Sequence, residues 1–159
     1  IDGDDLIPRF VFLMAPDFWR EKDKPVIQLK IPYFFLADEP CYMTQTAPHM
    51  NSNVRNWPGL LISGRFPISV WPRIMNWAFE WHDLSEDLVL RRNEPLCYLY
   101  FETENLRTKV NMFEIENTPE LEEYRKGIAA VPKFVSNTFS LFETALERRP
   151  EQLLKKKLR

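Results

Sequence analysis

Prolines are spread along the whole of this sequence, whereas glycine is scarce. The chain has 13 Pro and only four Gly among 159 residues. Proline interrupts helices and is confined to the edges and ends of strands, so this density favours short elements. Phosphate-binding and dinucleotide-binding loops need several glycines close together, and the four here are scattered. We therefore exclude both loops and expect short strands framed by proline.

The pattern of residues 25–115 is that of a β-rich core. From Arg73 to Trp81 the large side chains of Met75, Trp77, Phe79 and Trp81 occupy alternate positions, which places them on one face of a strand. We interpret that face as core or as a subunit interface, and a stacking platform for bases or sugars is the alternative. Further strands are predicted near residues 10–14, 26–31, 33–36, 41–45, 60–62, 66–70, 88–90, 96–101 and 110–113.

Helical signals begin after residue 115. Thr118 is suited to cap a helix whose first residue is Pro119, and acidic residues follow in the first turn. We expect Gly127 to end this helix. A second helix is predicted over residues 132–149, where Pro150 stops it, and residues 151–159 are expected to form a short basic helix or tail.

These patterns predict one mainly β domain, because 159 residues with 45% apolar content suffice for a single core. We expect an N-terminal arm (1–24), a β-rich core (25–115) and C-terminal helices (116–159). Short strands at close spacing are typical of a distorted barrel or a sandwich, here of about seven to nine strands.

The second predicted helix carries a large apolar stripe, formed by Phe134, Phe139, Leu141, Phe142 and Leu146. Burying each such side chain fully contributes roughly 1.5–3 kcal/mol, so the stripe cannot remain in water. We expect it to pack on the β-rich core or on a second subunit, and we therefore expect self-association.

Residues able to carry chemistry are few. The two histidines and two cysteines have no zinc-ligand spacing, and no Gly-x-Ser-x-Gly elbow is present. We expect Cys41 and Cys97 to be reduced thiols, and we expect no metal or cofactor. Acidic clusters such as Asp83 to Asp87 are interpreted as hairpin tips, with acid–base or magnesium chemistry as the alternative.

Charge and hydropathy limit the partners. A net charge of −2 makes nucleic acid an unexpected partner, and no apolar run approaches the ~20 residues that span a bilayer. We expect a cytoplasmic protein, or a virion protein if it comes from a phage. The sequence begins with Ile1 rather than Met, so we expect that some N-terminal sequence is missing or processed.

Three segments, together with Gly59, resemble a bacterial and phage protein family of unknown function. They are Ile31-Pro-Tyr-Phe-Phe35, Met75-Asn-Trp-Ala-Phe79 and Asn93-Glu-Pro-Leu-Cys97, where Asn93 stands in place of the family's Gly. The resemblance covers about residues 25–134 and implies no activity. The strand order is also similar to that of trimeric deoxyuridine triphosphatases and phage head-decoration proteins. The enzymes' Gly-x-x-Asp strand and Arg-Ser-Ser motif are absent, so that likeness concerns fold alone.

Two functions follow as hypotheses. The first is a non-enzymatic structural or protein-interaction module, related to phage by the resemblance and associating with itself. The alternative is a protein that binds or acts on a small anionic or nucleotide ligand. That alternative would use arginines of the loop between Pro48 and Arg73, together with the pair that follows the aromatic strand; the candidate residues are Arg55, Arg65, Arg73, His82 and Asp83.

Overall fold

The computed structural model describes residues 10–71, 74–105, 107–130 and 138–157. The chain divides into two compact units, each made from three segments of sequence. Unit 1 comprises residues 1–33, 44–64 and 74–100, and unit 2 comprises residues 34–43, 65–73 and 101–159. Within the described residues, no helix is long and apolar enough to cross a membrane.

The described residues contain seven strands, two α-helices and two short 3-10 helices. In chain order the elements are β1 (Val11–Leu13), a 3-10 helix (Pro16–Phe18), β2 (Val26–Ile31), β3 (Cys41–Thr46), a second 3-10 helix (Ser52–Asn56), β4 (Gly59–Leu61), β5 (Gly64–Pro67), β6 (Met75–Trp81), β7 (Tyr98–Thr103), α1 (Pro119–Ala130) and α2 (Thr138–Glu147).

Unit 1 is built on an antiparallel sheet with the strand order β1-β2-β6-β4. Pairing between β2 and β6 is continuous from Val26 opposite Glu80 to Ile31 opposite Met75. The predicted aromatic face is the core, because Trp77 and Phe79 are fully buried and their rings stack with centroids 5.4 Å apart. Gly59 lies so close to the Glu80 carbonyl that a side chain there would collide with it.

The second sheet has three strands, in the order β5-β3-β7. On its central strand, Cys41, Met43 and Gln45 are buried, whereas the residues between them are more exposed. The prediction of a mainly β protein with a C-terminal helical segment is therefore confirmed. The described strands form two sheets and no closed barrel, so the barrel alternative is wrong for this part of the chain.

The core of unit 2 lies around helix α1. Leu121, Tyr124 and Ile128 share one helical face and are buried against Trp71 and Ala145. Thr118 caps α1 as predicted, since its hydroxyl accepts a hydrogen bond from the Leu121 amide at 3.2 Å. Gly127 does not end the helix, which continues to Ala130, because none of the described glycines takes the positive φ that a glycine helix cap requires.

The predicted apolar stripe on the second helix is only partly described. Phe142 packs on the unit 2 core, with its ring centroid 5.7 Å from that of Trp71, whereas Leu146 is exposed. Phe134 and the side chains of Phe139 and Leu141 lie outside the described residues. Residues 151–157, predicted as a short basic helix or tail, form no helix. Lys156 instead pairs with Ile115 in an isolated antiparallel bridge.

Three predicted strands are wrong. Residues 33–36, 88–90 and 110–113 are apolar enough for strands, but the structure assigns none of them to a sheet. A strand requires a backbone partner as well as apolar side chains, and a single sequence does not show which segments find one. The segment 88–90 belongs to the candidate functional site.

Candidate functional site

A long irregular connection joins β6 to β7 in unit 1. This β6–β7 loop, residues 82–97, contains no helix or strand. Connections in compact domains have a median of roughly 4–6 residues, and irregular ones beyond about 12–15 are usually functional or disordered. The side-chain contacts of this loop decide between those two possibilities.

The β6–β7 loop is ordered by hydrogen bonds at both ends. The Trp81 indole donates to the Asp83 carbonyl at 2.8 Å, and the Trp77 indole donates to the Leu96 carbonyl at 2.9 Å. Near the second end, the Asn53 side-chain amide donates to the Glu94 carboxylate at 2.8 Å. Asn93 takes a left-handed conformation with φ of 69°, which Asn tolerates better than most residues. These contacts show that the loop is ordered, so they favour the functional interpretation of its length.

Despite these restraints, the loop leaves large apolar side chains in water. Leu84 is 67% exposed, Val89 is 50% exposed and Leu90 is 41% exposed. Leu88 differs, because it packs against the Trp77 and Phe79 core of unit 1. Leu96 does the same at the far end of the loop. An anchored loop that holds apolar side chains outward has the character of a contact surface.

Apart from Glu94, which accepts the hydrogen bond from Asn53, the charged residues of the loop are divided by sign. The first half of the loop carries Asp83, Glu86 and Asp87, and its second half carries Arg91 and Arg92. All five side chains belong to exposed residues. Asp83 also organises the first turn, because its carboxylate accepts from both the amide and the hydroxyl of Ser85, at 3.0 and 2.6 Å. Those hydrogen bonds lower the Asp83 pKa.

A buried carboxylate lies where β6 enters the loop. Glu80 accepts two hydrogen bonds from the Arg20 guanidinium, at 2.6 and 2.7 Å, and its Oε1 lies 2.8 Å from Nε2 of His82. The Glu80 side chain is 3% exposed, whereas that of Arg20 is 63% exposed. The hydrogen bonds from Arg20, followed by that from His82, lower the Glu80 pKa to about 2. Glu80 therefore stays ionised across the physiological range.

This ionic cluster attaches neighbouring segments of the chain to the sheet. Arg20 comes from the segment between β1 and β2, so its contact with Glu80 attaches that segment to the sheet. The amides of His82 and Asp83 both donate to the Pro58 carbonyl, at 2.8 and 2.9 Å. The nearest hydroxyl in the turn, that of Ser85, donates to Asp83. The imidazole is therefore oriented by a carboxylate without a described nucleophile hydrogen-bonded to it.

The residues that the sequence predicted as ligand contacts do not all lie in the same part of the fold. His82 and Asp83 begin the β6–β7 loop, and Arg55 is exposed on the 3-10 helix whose Asn53 contacts Glu94. Arg65 belongs to unit 2, where it pairs with Glu102 at 2.7 Å and stacks on the Tyr42 ring at 3.7 Å. Arg73 lies outside the described residues. Within unit 1, the fold thus places His82, Asp83 and Arg55 on elements that border the same loop.

Sequence reasoning missed Glu80 and Arg20. The alternation of β6 assigns Glu80 to the face opposite Trp77, and no partner for that face follows from the sequence. The signal that could have found it is a carboxylate within a strand that is otherwise apolar, since such a residue needs a cation. Arg20 lies in a charged run that the sequence indicates as a solvated turn, so nothing local identifies its partner.

Metal chemistry finds no support in the described part of the chain, where no three His, Cys, Asp or Glu side chains are close enough to hold an ion. A shallow depression does border the loop, lined by Trp57, Val89, Leu90, Arg91, Glu94, Pro95 and Leu96. Its lining is mixed apolar and charged.

Comparisons with known proteins add nothing to what the geometry of the β6–β7 loop indicates. No protein-family model, curated protein or solved structure matches the chain. The resemblance to the bacterial and phage family of unknown function, and the fold-level likeness to the deoxyuridine triphosphatases, therefore stay hypotheses.

Proposed function

We propose that this protein is a non-enzymatic structural or protein-interaction module that associates with itself and is related to phage proteins. The observation that carries the interaction role is the β6–β7 loop, which is anchored by tryptophan indoles yet holds Leu84, Val89 and Leu90 in water. The phage origin is supported only by the resemblance of the segments around Met75 and Asn93.

Energetic considerations favour a protein partner for this loop. Each large apolar side chain that becomes fully buried contributes roughly 1.5–3 kcal/mol, so covering the half-exposed side chains of the loop would favour association. Preorganisation adds to this, because a loop already held by hydrogen bonds loses little conformational freedom when a partner binds. A loop of the same length without such anchors would lose more.

Self-association is tested by light scattering over a range of protein concentrations. We expect the unaltered protein to be larger than a monomer and the triple variant Leu84→Ser, Val89→Ser, Leu90→Ser to be monomeric. The matched control is Leu13→Ser, Met50→Ser, Met112→Ser, which removes three apolar side chains elsewhere that are 65–76% exposed. A protein that is monomeric at every concentration contradicts the proposal, and so does a control that dissociates as fully as the loop variant.

The ligand-binding alternative is separated by thermal shift with nucleotides and sugar phosphates. We expect no saturable shift, because Arg65 is already engaged by Glu102 and Tyr42. A saturable shift that Arg55→Ala or Arg65→Ala removes, and that Lys109→Ala leaves unchanged, would instead favour an anion-binding protein.

A further inference from the structure

The middle of the β6–β7 loop reads as a charge palindrome centred on Val89. The sequence is Glu86-Asp-Leu-Val-Leu-Arg-Arg92. Two residues before the centre is an acid, Asp87, and two residues after it is a base, Arg91. One step further out the same relation holds between Glu86 and Arg92. The two leucines lie on either side of the centre.

The backbone of this stretch is open. Residues 87–91 run without a turn or bend. In the described structure, the amide and carbonyl groups of residues 87–90 have no hydrogen-bond partner in the protein. Their side-chain pattern nevertheless predicts a strand, so the segment has the side chains of a strand and lacks only a neighbour.

The two sides of the segment differ at Leu88, whereas Leu90, which alternation places on the same side as Leu88, is 41% exposed. Leu88 packs inward on the unit 1 core, while Asp87 and Val89 on either side of it are exposed. Arg91 is two residues beyond Val89 and is also exposed. Its one ion-pair contact among the described residues, to Glu94, is long at 4.0 Å, so its charge is available. Alternation therefore places Asp87, Val89 and Arg91 on the outward side.

We propose that two copies of this chain pair through residues 86–92 as antiparallel strands, with a two-fold axis at Val89. This deepens the proposed self-association and rests on it. The axis sets Val89 against Val89 and Asp87 of each copy against Arg91 of the other. Glu86 and Arg92 form the next pair in the same way. Opposite-charge pairs flanking an apolar pair stabilise an antiparallel ladder, and the open amides and carbonyls supply its hydrogen bonds.

The arrangement selects both the partner and the direction. A parallel pairing in register would set Asp87 against Asp87 and Arg91 against Arg91, which repel. Antiparallel pairing in any other register loses the match of acid to base on both sides. A two-fold interface is self-complementary by definition, and a segment whose charges invert about its centre meets that condition without help from another protein.

Charge exchange tests the pairing. In Asp87→Arg every copy has arginine at both positions, and in Arg91→Asp every copy has aspartate at both. Either single variant sets like charges together twice, so we expect its dissociation constant to rise about ten-fold or more. An equimolar mixture of the two variants restores both opposite-charge pairs, as does the double variant in one chain, and both should recover the affinity of the unaltered protein.

The controls are Glu123→Arg and Lys109→Asp, which change the net charge equally at exposed positions in unit 2. They should leave the affinity unchanged, and circular dichroism should show every variant folded. If the unaltered protein associates but the mixture does not recover affinity, this interface is wrong while the proposed self-association stands. If the unaltered protein does not associate, the proposed function itself fails.

A cross-link provides an independent measurement. Directly opposed residues of antiparallel strands have Cβ atoms about 4.5–5.5 Å apart, close enough for mild oxidation to link two copies of Val89→Cys with small backbone adjustment. We expect a covalent dimer on a non-reducing gel for Val89→Cys, and monomer for Leu84→Cys, which is at least as exposed. Equal cross-linking at both positions, or none at position 89, overturns the proposed axis.

Discussion

The two units of this protein are stabilised by different kinds of interaction. In unit 1, β2 and β6 pair continuously, and the stacked rings of Trp77 and Phe79 fill the core behind them. In unit 2, one arginine, Arg149, connects segments far apart in sequence. Its guanidinium donates to the carbonyls of Ser69 and Ala37 and to the carboxylate of Asp38, at 2.6, 3.1 and 2.8 Å.

This difference separates what alternation encodes from what a single side chain does. The pairing of β2 with β6 follows from a repeated pattern, in which every second residue contributes to one face. The role of Arg149 depends on one guanidinium, whose partners stand about eighty or more residues away along the chain. We therefore compare truncation of a core side chain in unit 1 with loss of one polar side chain in unit 2, and we expect the first to have the larger effect.

The largest expected effect is that of Trp77→Ala. Trp77 is fully buried and also donates to the Leu96 carbonyl, so the variant leaves a cavity and an unsatisfied acceptor. We expect a loss of about 3–5 kcal/mol in the free energy of unfolding, measured by urea titration with circular dichroism. Leu60→Ala, on the neighbouring strand β4 and 55% exposed, is the control and should change it by less than about 0.5 kcal/mol. Equal effects would mean that Trp77 is not the centre of this core.

Arg149→Ala is the matching test in unit 2. The Arg149 side chain is 9% exposed, and its removal leaves two backbone carbonyls without this donor. We expect a loss of roughly 2–4 kcal/mol, below the value for a fully buried ion pair because Asp38 is 31% exposed. Arg149→Lys should recover only part of it, since an ammonium cannot donate along all of these directions.

The adjacent Arg148 supplies the control for this prediction. It is exposed and follows the end of α2 by one residue, so Arg148→Ala should be nearly neutral. A loss of the same size in both variants would show that general charge near the C-terminal end of α2 matters, and that the specific contacts of Arg149 do not.

Strand β6 and Arg149 also show how far the sequence predicts the structure. The alternation of β6 predicts its last residue and its buried face, because that pattern is local and repeats. No local pattern distinguishes Arg149 from Arg148, since both stand near the end of a helical stripe. Arg149 differs only by the position in space of Ser69 and Asp38, which tertiary packing determines.

The candidate site was predictable to a similar, limited degree. His82 and Asp83 could be singled out because they follow an aromatic strand, whereas Glu80 and Arg20 could not be paired by any spacing rule. Residues 88–90 were predicted as a strand from their side chains, and the structure leaves them without a neighbour. Side-chain patterns indicate which segments can pair, and only the fold shows which of them do.

The ionic cluster of unit 1 predicts a pH dependence. Glu80 has an ordinary pKa of 4.5 that its contacts lower to about 2, so the folded protein favours the ionised carboxylate. The stabilisation is complete above about pH 4.5 and is lost as the pH falls towards 2, because the unfolded state takes up the proton first. We expect roughly 1–2 kcal/mol for this group, less than the full shift implies, because water reaches the exposed Arg20.

Glu80→Gln isolates that contribution. The variant should be less stable than the unaltered protein at pH 6, and the difference should shrink between pH 4.5 and 2. Glu123→Gln, at an exposed position in unit 2, serves as the control and should leave the curve unchanged. A difference that stays constant over this pH range would show that the Glu80 charge does not contribute to folding.

The smallest expected effect belongs to Tyr124 in unit 2, and it sharpens the comparison because it involves one polar atom within an apolar core. The Tyr124 hydroxyl lies 2.9 Å from the carbonyls of both Val70 and Ala145, although it has only one proton to donate. Tyr124→Phe should therefore cost only about 1 kcal/mol, the net value of one hydrogen bond.

Burial raises the Tyr124 pKa to about 12, against the opposing effect of Arg149. The folded state thus keeps its proton while an unfolded tyrosine loses it near pH 10, so stability should fall between pH 10 and 12 in the unaltered protein and less steeply in Tyr124→Phe. Tyr33→Phe, at an exposed position in unit 1, should change neither the stability at pH 7 nor the slope. A cost well above that of Arg149→Ala would reverse the order argued here and make Tyr124 the principal polar contact of unit 2.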